Sequence, residues 1–153
     1  MLRTTLFSLL AAASLLSQAH AADAMPYDET ANAKTEVAQA LQDATKSGKK
    51  MLLVFGANWC KDCRELDKAL HLGRTADLVK SKYKLVKVDV GRFDKNLDLA
   101  KVYGDPIGKG IPSVVVVSDK NEVVYATRAG ELADARGMGE EKIYEFFKTM
   151  AAK

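Results

Sequence analysis

Apolar positions follow two different rhythms along the chain. Within residues 32–47, Val37, Ala40, Leu41 and Ala44 recur three and four apart, which predicts a helix with one buried face, closed by Gly48. "MLLVF" at 51–55 is a continuous apolar run, the pattern of a short strand buried on both faces. Gly56-Ala57-Asn58 interrupts it. Helical spacing resumes near Cys60 with Leu66, Ala69 and Leu70, breaks at Gly73, and continues from about Thr75 to Lys82. "KLVKVDV" at 84–90 reads as a valine-rich strand. Leu99, Val102 and Tyr103 predict a short helix ending at Gly104, followed by the loop "GDPIGKGIP". "SVVVV" at 113–117, the turn "SDKNE" and "VVYAT" at 123–127 predict an antiparallel hairpin. A glycine-spotted connection then leads to "EEKIYEFFKTM", an amphipathic helix with Ile143, Phe146, Phe147 and Met150 inward.

The resulting order, α-β-α-β-α-β-β-α, predicts the α/β class: a central mixed sheet of about four to five strands, helices on both faces, and an antiparallel edge hairpin. A length of 153 residues with 48% apolar composition suits one domain with a buried core. The beginning of the chain has a different character. Arg3 precedes an apolar run from about Leu6 to Leu16, which closes on Ala19-His20-Ala21. That is the layout of a secretory signal peptide, expected over residues 1–21, with Ala24 as the alternative cleavage point. A retained membrane helix is the competing reading, but the run is short for a permanent span. Residues 22–31 are small and polar around Pro26 and read as a linker, leaving 32–153 as the domain. Export in bacterial style makes the periplasm the expected compartment. The net charge of +3 is spread among acidic residues, which argues against a nucleic-acid partner.

The chain has two cysteines, and both lie in "FGANWCKDCREL". Cys60 and Cys63 could form a redox couple, half of a metal site, or a structural staple. Their placement favours the first. Cys60 stands where a buried strand hands over to a helix, and a helix start offers unpaired backbone N–H groups and the positive end of the dipole. Both favour a thiolate, the reactive form of cysteine. Lys61 acts in the same direction and Asp62 opposes it. The implied chemistry is two-step exchange: Cys60 attacks a disulfide, and the more sheltered Cys63 resolves the mixed disulfide. A staple across so short a loop contributes only about 2 kcal/mol in the chain-entropy account. Structural zinc takes about four ligands. His71, the only histidine beyond the signal segment, lies about 12 Å further along a helix. Two thiolates can hold Cu(I), so a copper chaperone or adaptor remains the alternative. No phosphate-binding glycine motif follows a strand, so no nucleotide cofactor is expected.

"MLLVFGANWCKDC", "LVKVDV" and "GKGIPSVVVV" together resemble the thioredoxin fold family over about residues 32–151. The likeness is greatest to secreted bacterial thioredoxin-like domains, including the C-terminal domain of the thiol:disulfide interchange protein DsbD. The resemblance implies a protein-disulfide oxidoreductase, more a reductase than an oxidase or isomerase. It would be recharged by a membrane thiol electron donor of the DsbD kind. It further implies a cis peptide bond before Pro112, beside Cys60, and a substrate segment that pairs in extended form with the Ile111 backbone. Trp59 would cover the site and contact partners, with a core aromatic as the plainer reading. Gly130 would match the family's glycine near the substrate groove. One departure stands out. Thioredoxin carries a buried acid where this chain has Val54, so a proton acceptor for Cys63 is missing or lies elsewhere; Asp62 is a candidate. "GDPIGKGIP" and "GELADARGMGEE" look longer than their thioredoxin counterparts and are expected to flank the site and specialise the partner surface.

Overall fold

The computed structural model describes residues 25–153; the expected signal peptide falls outside them. The elements run α1 (Ala33–Ser47), β1 (Lys50–Gly56), α2 (Lys61–His71), α3 (Gly73–Lys82), β2 (Tyr83–Asp89) and α4 (Leu97–Val102). A 3-10 turn at Pro106–Lys109, β3 (Ser113–Val117), β4 (Val123–Ala126) and α5 (Ala135–Ala151) complete the order. The four strands form one sheet in the order β2-β1-β3-β4. β1 runs parallel to β2 and antiparallel to β3, and β4 is the antiparallel edge expected of the hairpin.

The sheet explains why residues 51–55 of β1 and 114–117 of β3 are apolar without interruption. Met51, Leu53 and Phe55 face one core, with Val115 and Val117 of β3 and with Val37 and Ala44 of α1. Leu52 and Val54 face the other, with Val114, Val116, Leu66, Leu70, Ile143 and Phe147. Alternate side chains on a strand point to opposite faces, so a strand between two helical layers must be apolar throughout. Burying each of these side chains stabilises the fold by roughly 1.5–3 kcal/mol. α1 is started by Asn32, whose side chain accepts the Thr35 N–H at 3.1 Å, and closed by Gly48 at φ 64°, where only glycine is unstrained.

The structure departs from the sequence expectation at three places. Residues 25–31 are not a free linker, because Tyr27 is buried in the first core. Val102, taken with Leu99 as helical spacing, is 73% exposed; α4 buries Leu99 and Ala100 instead. The connection before the last helix is partly helical. Its first turn starts at Ala135, and Gly139 (φ 72°, ψ 166°) kinks it before the amphipathic stretch. Buried Leu132 and Ala135 anchor that turn to the second core.

Candidate functional site

The end of β1 and the start of α2 place both sulfurs. Cys60 is the N-cap residue of α2, and its Sγ accepts the Cys63 N–H at 3.1 Å. The two cysteines form a disulfide, with Cα atoms 5.2 Å apart. Cys63, one turn into the helix, is fully buried, whereas Cys60 retains 6% exposure. Cys63 is thus the more sheltered of the two, but the outer sulfur is more covered than its position suggested. The Ile111 carbonyl oxygen lies 3.6 Å from Cys60 Sγ and shields it. Ile111–Pro112 is a cis peptide bond, and both residues are buried. The strand-start loop and the helix start therefore meet at one sulfur.

Around Cys60 the surface is aromatic. Trp59 is 48% exposed, which excludes the core reading. Its indole N–H donates to the Gly91 carbonyl at 2.7 Å, and its ring meets Phe93 edge to face at 6.3 Å. The Arg92 guanidinium stands 6.0 Å from the indole centroid. Phe93 is itself exposed and has a left-handed φ of 63°, a sparsely populated conformation for an aromatic residue. Sequence reading missed Phe93, because a single aromatic in a polar loop has no periodicity to mark it. Gly130 (φ 78°) lies against the loop before Ile111: a Cβ there would be 3.2 Å from the Lys109 carbonyl oxygen. It joins the 128–134 segment to the 3-10 turn, one residue from the Gly110 that precedes Ile111.

The two residues between the cysteines behave differently. Lys61 is exposed at the first helical position. Asp62 reaches across to α5, where its carboxylate accepts the Arg136 backbone N–H at 3.0 Å and both Nε and a terminal guanidinium nitrogen at 3.1 Å. The Arg136 side-chain hydrogen bonds hold the Asp62 carboxyl below the usual Asp range. A carboxylate so held is a weakened base with both oxygens engaged by Arg136, so it is poorly suited to take a proton from Cys63. Val54, as an apolar residue packed in the second core, cannot do so either.

Behind Cys63 the segment before α1 closes the site. Asn58 clamps Tyr27 in both directions, accepting its N–H at 2.9 Å and donating to its carbonyl at 2.8 Å. Asn58 also donates to Glu29 at 2.9 Å. The Tyr27 ring occupies the space that a side chain at position 56 would need; a Cβ on Gly56 would overlap its hydroxyl. Sequence reading missed Tyr27 and Asn58, whose contact joins positions 31 apart. His71, considered as a metal ligand, is exposed at the far end of α2 and faces Asp67. Among the described residues no group of three or more potential metal ligands gathers.

A family model described as thioredoxin-like matches residues 32–118, and the chain belongs to that family. The crystal structure of a disulphide isomerase from Xylella fastidiosa Temecula1 is similar at 51% identity and a TM-score of 0.81, over 82% of this chain and 96% of that one. The DsbD C-terminal domain of Neisseria meningitidis in its reduced form is similar at 22% identity and a TM-score of 0.52, over 76% and 95%. At that identity the likeness speaks for the fold alone. A search among curated proteins finds no match. Family, disulfide and isomerase neighbour together support a thiol–disulfide oxidoreductase.

Proposed function

We propose that the chain is an exported reductase of protein disulfides. The carrying observation is the Cys60–Cys63 disulfide at the start of α2, beside the Ile111–Pro112 loop. In the reduced protein the Cys60 thiolate attacks one sulfur of a substrate disulfide. That bond breaks, and the other substrate sulfur leaves as a thiolate that takes a proton from water. The Cys63 thiolate then attacks Cys60 Sγ, re-forming the internal disulfide and releasing the second substrate thiolate. Two electrons pass from the cysteine pair to the substrate. Trp59, Ile111, Pro112 and Gly130 shape the surface that meets the substrate, and Lys61 and Asp62 tune Cys60.

The direction of flow rests on the balance at Cys60. A strongly oxidising couple needs a heavily stabilised thiolate. Among the described residues, Cys60 Sγ has the single N–H donor of Cys63, and the Asp62 carboxylate stands in the same helical turn. That is modest support for a thiolate, and it favours reading the couple as a reducing one. A reductase in an oxidising space needs an electron source, and a membrane thiol relay of the DsbD kind is the partner class that fits. The signal-like residues 1–21 support delivery to the periplasm. Among the described residues no helix is long and apolar enough to cross a membrane.

The test is the reduction potential of the couple, by equilibration with dithiothreitol or glutathione. A value near thioredoxin's, about −270 mV, supports a reductase; one near about −120 mV reverses the direction. A second reading is isomerisation, favoured by the neighbour described as a disulphide isomerase. It predicts reshuffling of a scrambled substrate without net reduction. Tight Cu(I) binding with no reversible couple would instead favour the metal-carrying alternative.

A further inference from the structure

We propose that the Tyr27 hydroxyl is a catalytic group of the exchange reaction, donating a hydrogen bond to the Cys63 thiolate while that sulfur resolves the mixed disulfide. This rests on the disulfide-exchange reading above and addresses the step for which Val54 and Asp62 offer no help.

Three observations carry it. Tyr27 is 2% exposed, and among the described residues its hydroxyl has no hydrogen-bond partner. A buried hydroxyl without a partner costs stability, so a tyrosine used only to fill space would be better replaced by phenylalanine. Second, the hydroxyl and the inner sulfur both border Gly56. A Cβ built on Gly56 would overlap the Tyr27 hydroxyl and stand 3.0 Å from Cys63 Sγ, so both atoms border the same methyl-sized space. Glycine at position 56 leaves room for the Tyr27 hydroxyl beside Cys63 Sγ. Third, Asn58 fixes the Tyr27 backbone from two residues before Cys60, which holds the ring in register with the site. In the oxidised protein Cys63 Sγ is spent on the disulfide and is a weak acceptor. The missing partner arises when the disulfide opens and Cys63 becomes a thiolate.

The surroundings make the hydroxyl a donor and not a base. Burial, and then the carboxylates of Asp67 on α2 and Asp89 at the end of β2, push the Tyr27 pKa upward. Asp67 is paired with Lys87 at 3.1 Å, and Asp89 lies 3.3 Å from Lys95 Nζ. Tyr27 thus keeps its proton over the working range. The Cys63 proton leaves to water, and the phenol stabilises the charge that remains. The thiolate then displaces the substrate sulfur from Cys60: one S–S bond forms, one breaks, and the departing thiolate is protonated by water.

The experiment is Tyr27→Phe, placed in two backgrounds. In Cys60→Ser, where Cys63 is the only thiol, the thiolate is followed by ultraviolet absorbance against pH. Removing the hydroxyl should raise the Cys63 pKa by about one unit, a tenfold loss of thiolate at a given pH. With both cysteines present, single-turnover kinetics should show release from the mixed disulfide slowed about tenfold and its formation by Cys60 unchanged. Unchanged Cys63 titration in a folded Tyr27→Phe chain overturns the inference. So does loss of the fold, because a hydroxyl needed for folding must have a partner in the oxidised state. If the wild-type couple does not cycle, the exchange reading fails; if it cycles and Tyr27→Phe matches it, only the role of Tyr27 fails.

Discussion

The two sulfurs of one disulfide sit in surroundings built by different parts of the chain. Cys60 is bordered by surface: exposed Trp59 and Phe93 on one side and the Ile111–Pro112 loop on the other. Cys63 is bordered by interior: Gly56 at the end of β1 and Tyr27 from the segment before α1. The outer surroundings can meet a macromolecule and the inner cannot. Partner choice and resolution are therefore separable properties, and substitutions on one side should leave the other side's step intact.

The largest effect should come from the sulfurs themselves. Cys60→Ser should abolish exchange and trap nothing, because the attacking sulfur is gone. Cys63→Ser should also abolish turnover yet accumulate mixed disulfides, visible as reductant-sensitive adducts in non-reducing electrophoresis. Equal behaviour of the two variants would erase the outer–inner distinction.

Asn58→Ala should come next. It removes two hydrogen bonds to the Tyr27 backbone, each worth about 0.5–1.5 kcal/mol net. Denaturant unfolding should show a loss of about 1–3 kcal/mol. Because the clamp holds Tyr27 beside Cys63, the Cys63 titration should move upward as well, in the same direction as in Tyr27→Phe. Lost stability with an unmoved Cys63 would show that the clamp serves the fold and not the inner sulfur.

On the outer side, Phe93→Ala removes the edge-to-face partner of Trp59. Such pairs contribute about 0.5–1.5 kcal/mol beyond burial. KM for a peptide disulfide should rise several-fold, while the rate with a small disulfide such as oxidised glutathione should hold. A loss shared equally by both substrates would mean that Phe93 shapes Cys60 and not the docking surface.

The same division separates what the sequence discloses from what it hides. The strands of the sheet, the helix that starts at Cys60 and the edge hairpin are all local patterns: apolar runs, three-and-four spacing, and turn residues. The C-x-x-C pair is likewise local and marks itself. The inner wall is not local. Tyr27 stands among small polar residues near Pro26, where composition reads as a linker. Its burial depends on Asn58 and on the missing side chain of Gly56, and one sequence displays neither relation. The Asp62–Arg136 tie spans 74 positions and crosses from α2 to α5. Asp62 could be seen as a charge beside Cys60, but not as one already engaged.

That tie gives the smallest expected effect and the finest test of the comparison, since Asp62 stands in the first turn of α2 beside Cys60. The Arg136 guanidinium offsets the Asp62 charge in the first turn of α2. Arg136→Met should leave the carboxylate unpaired and disfavour the Cys60 thiolate, raising its pKa by less than about one unit, because exposed charges are screened. The shift should shrink with added salt. The stability side follows from the lowered pKa of Asp62. A carboxylate whose folded pKa is depressed stabilises the fold fully above its unfolded value, and that stabilisation is lost as pH falls through the folded value. The difference in stability between wild type and Arg136→Met should therefore be constant through neutral pH and vanish only in acid. Throughout, the Cys63 titration should not respond. A Cys63 shift in Arg136→Met would show that the two sides of the disulfide are coupled through α2 and that their independence fails.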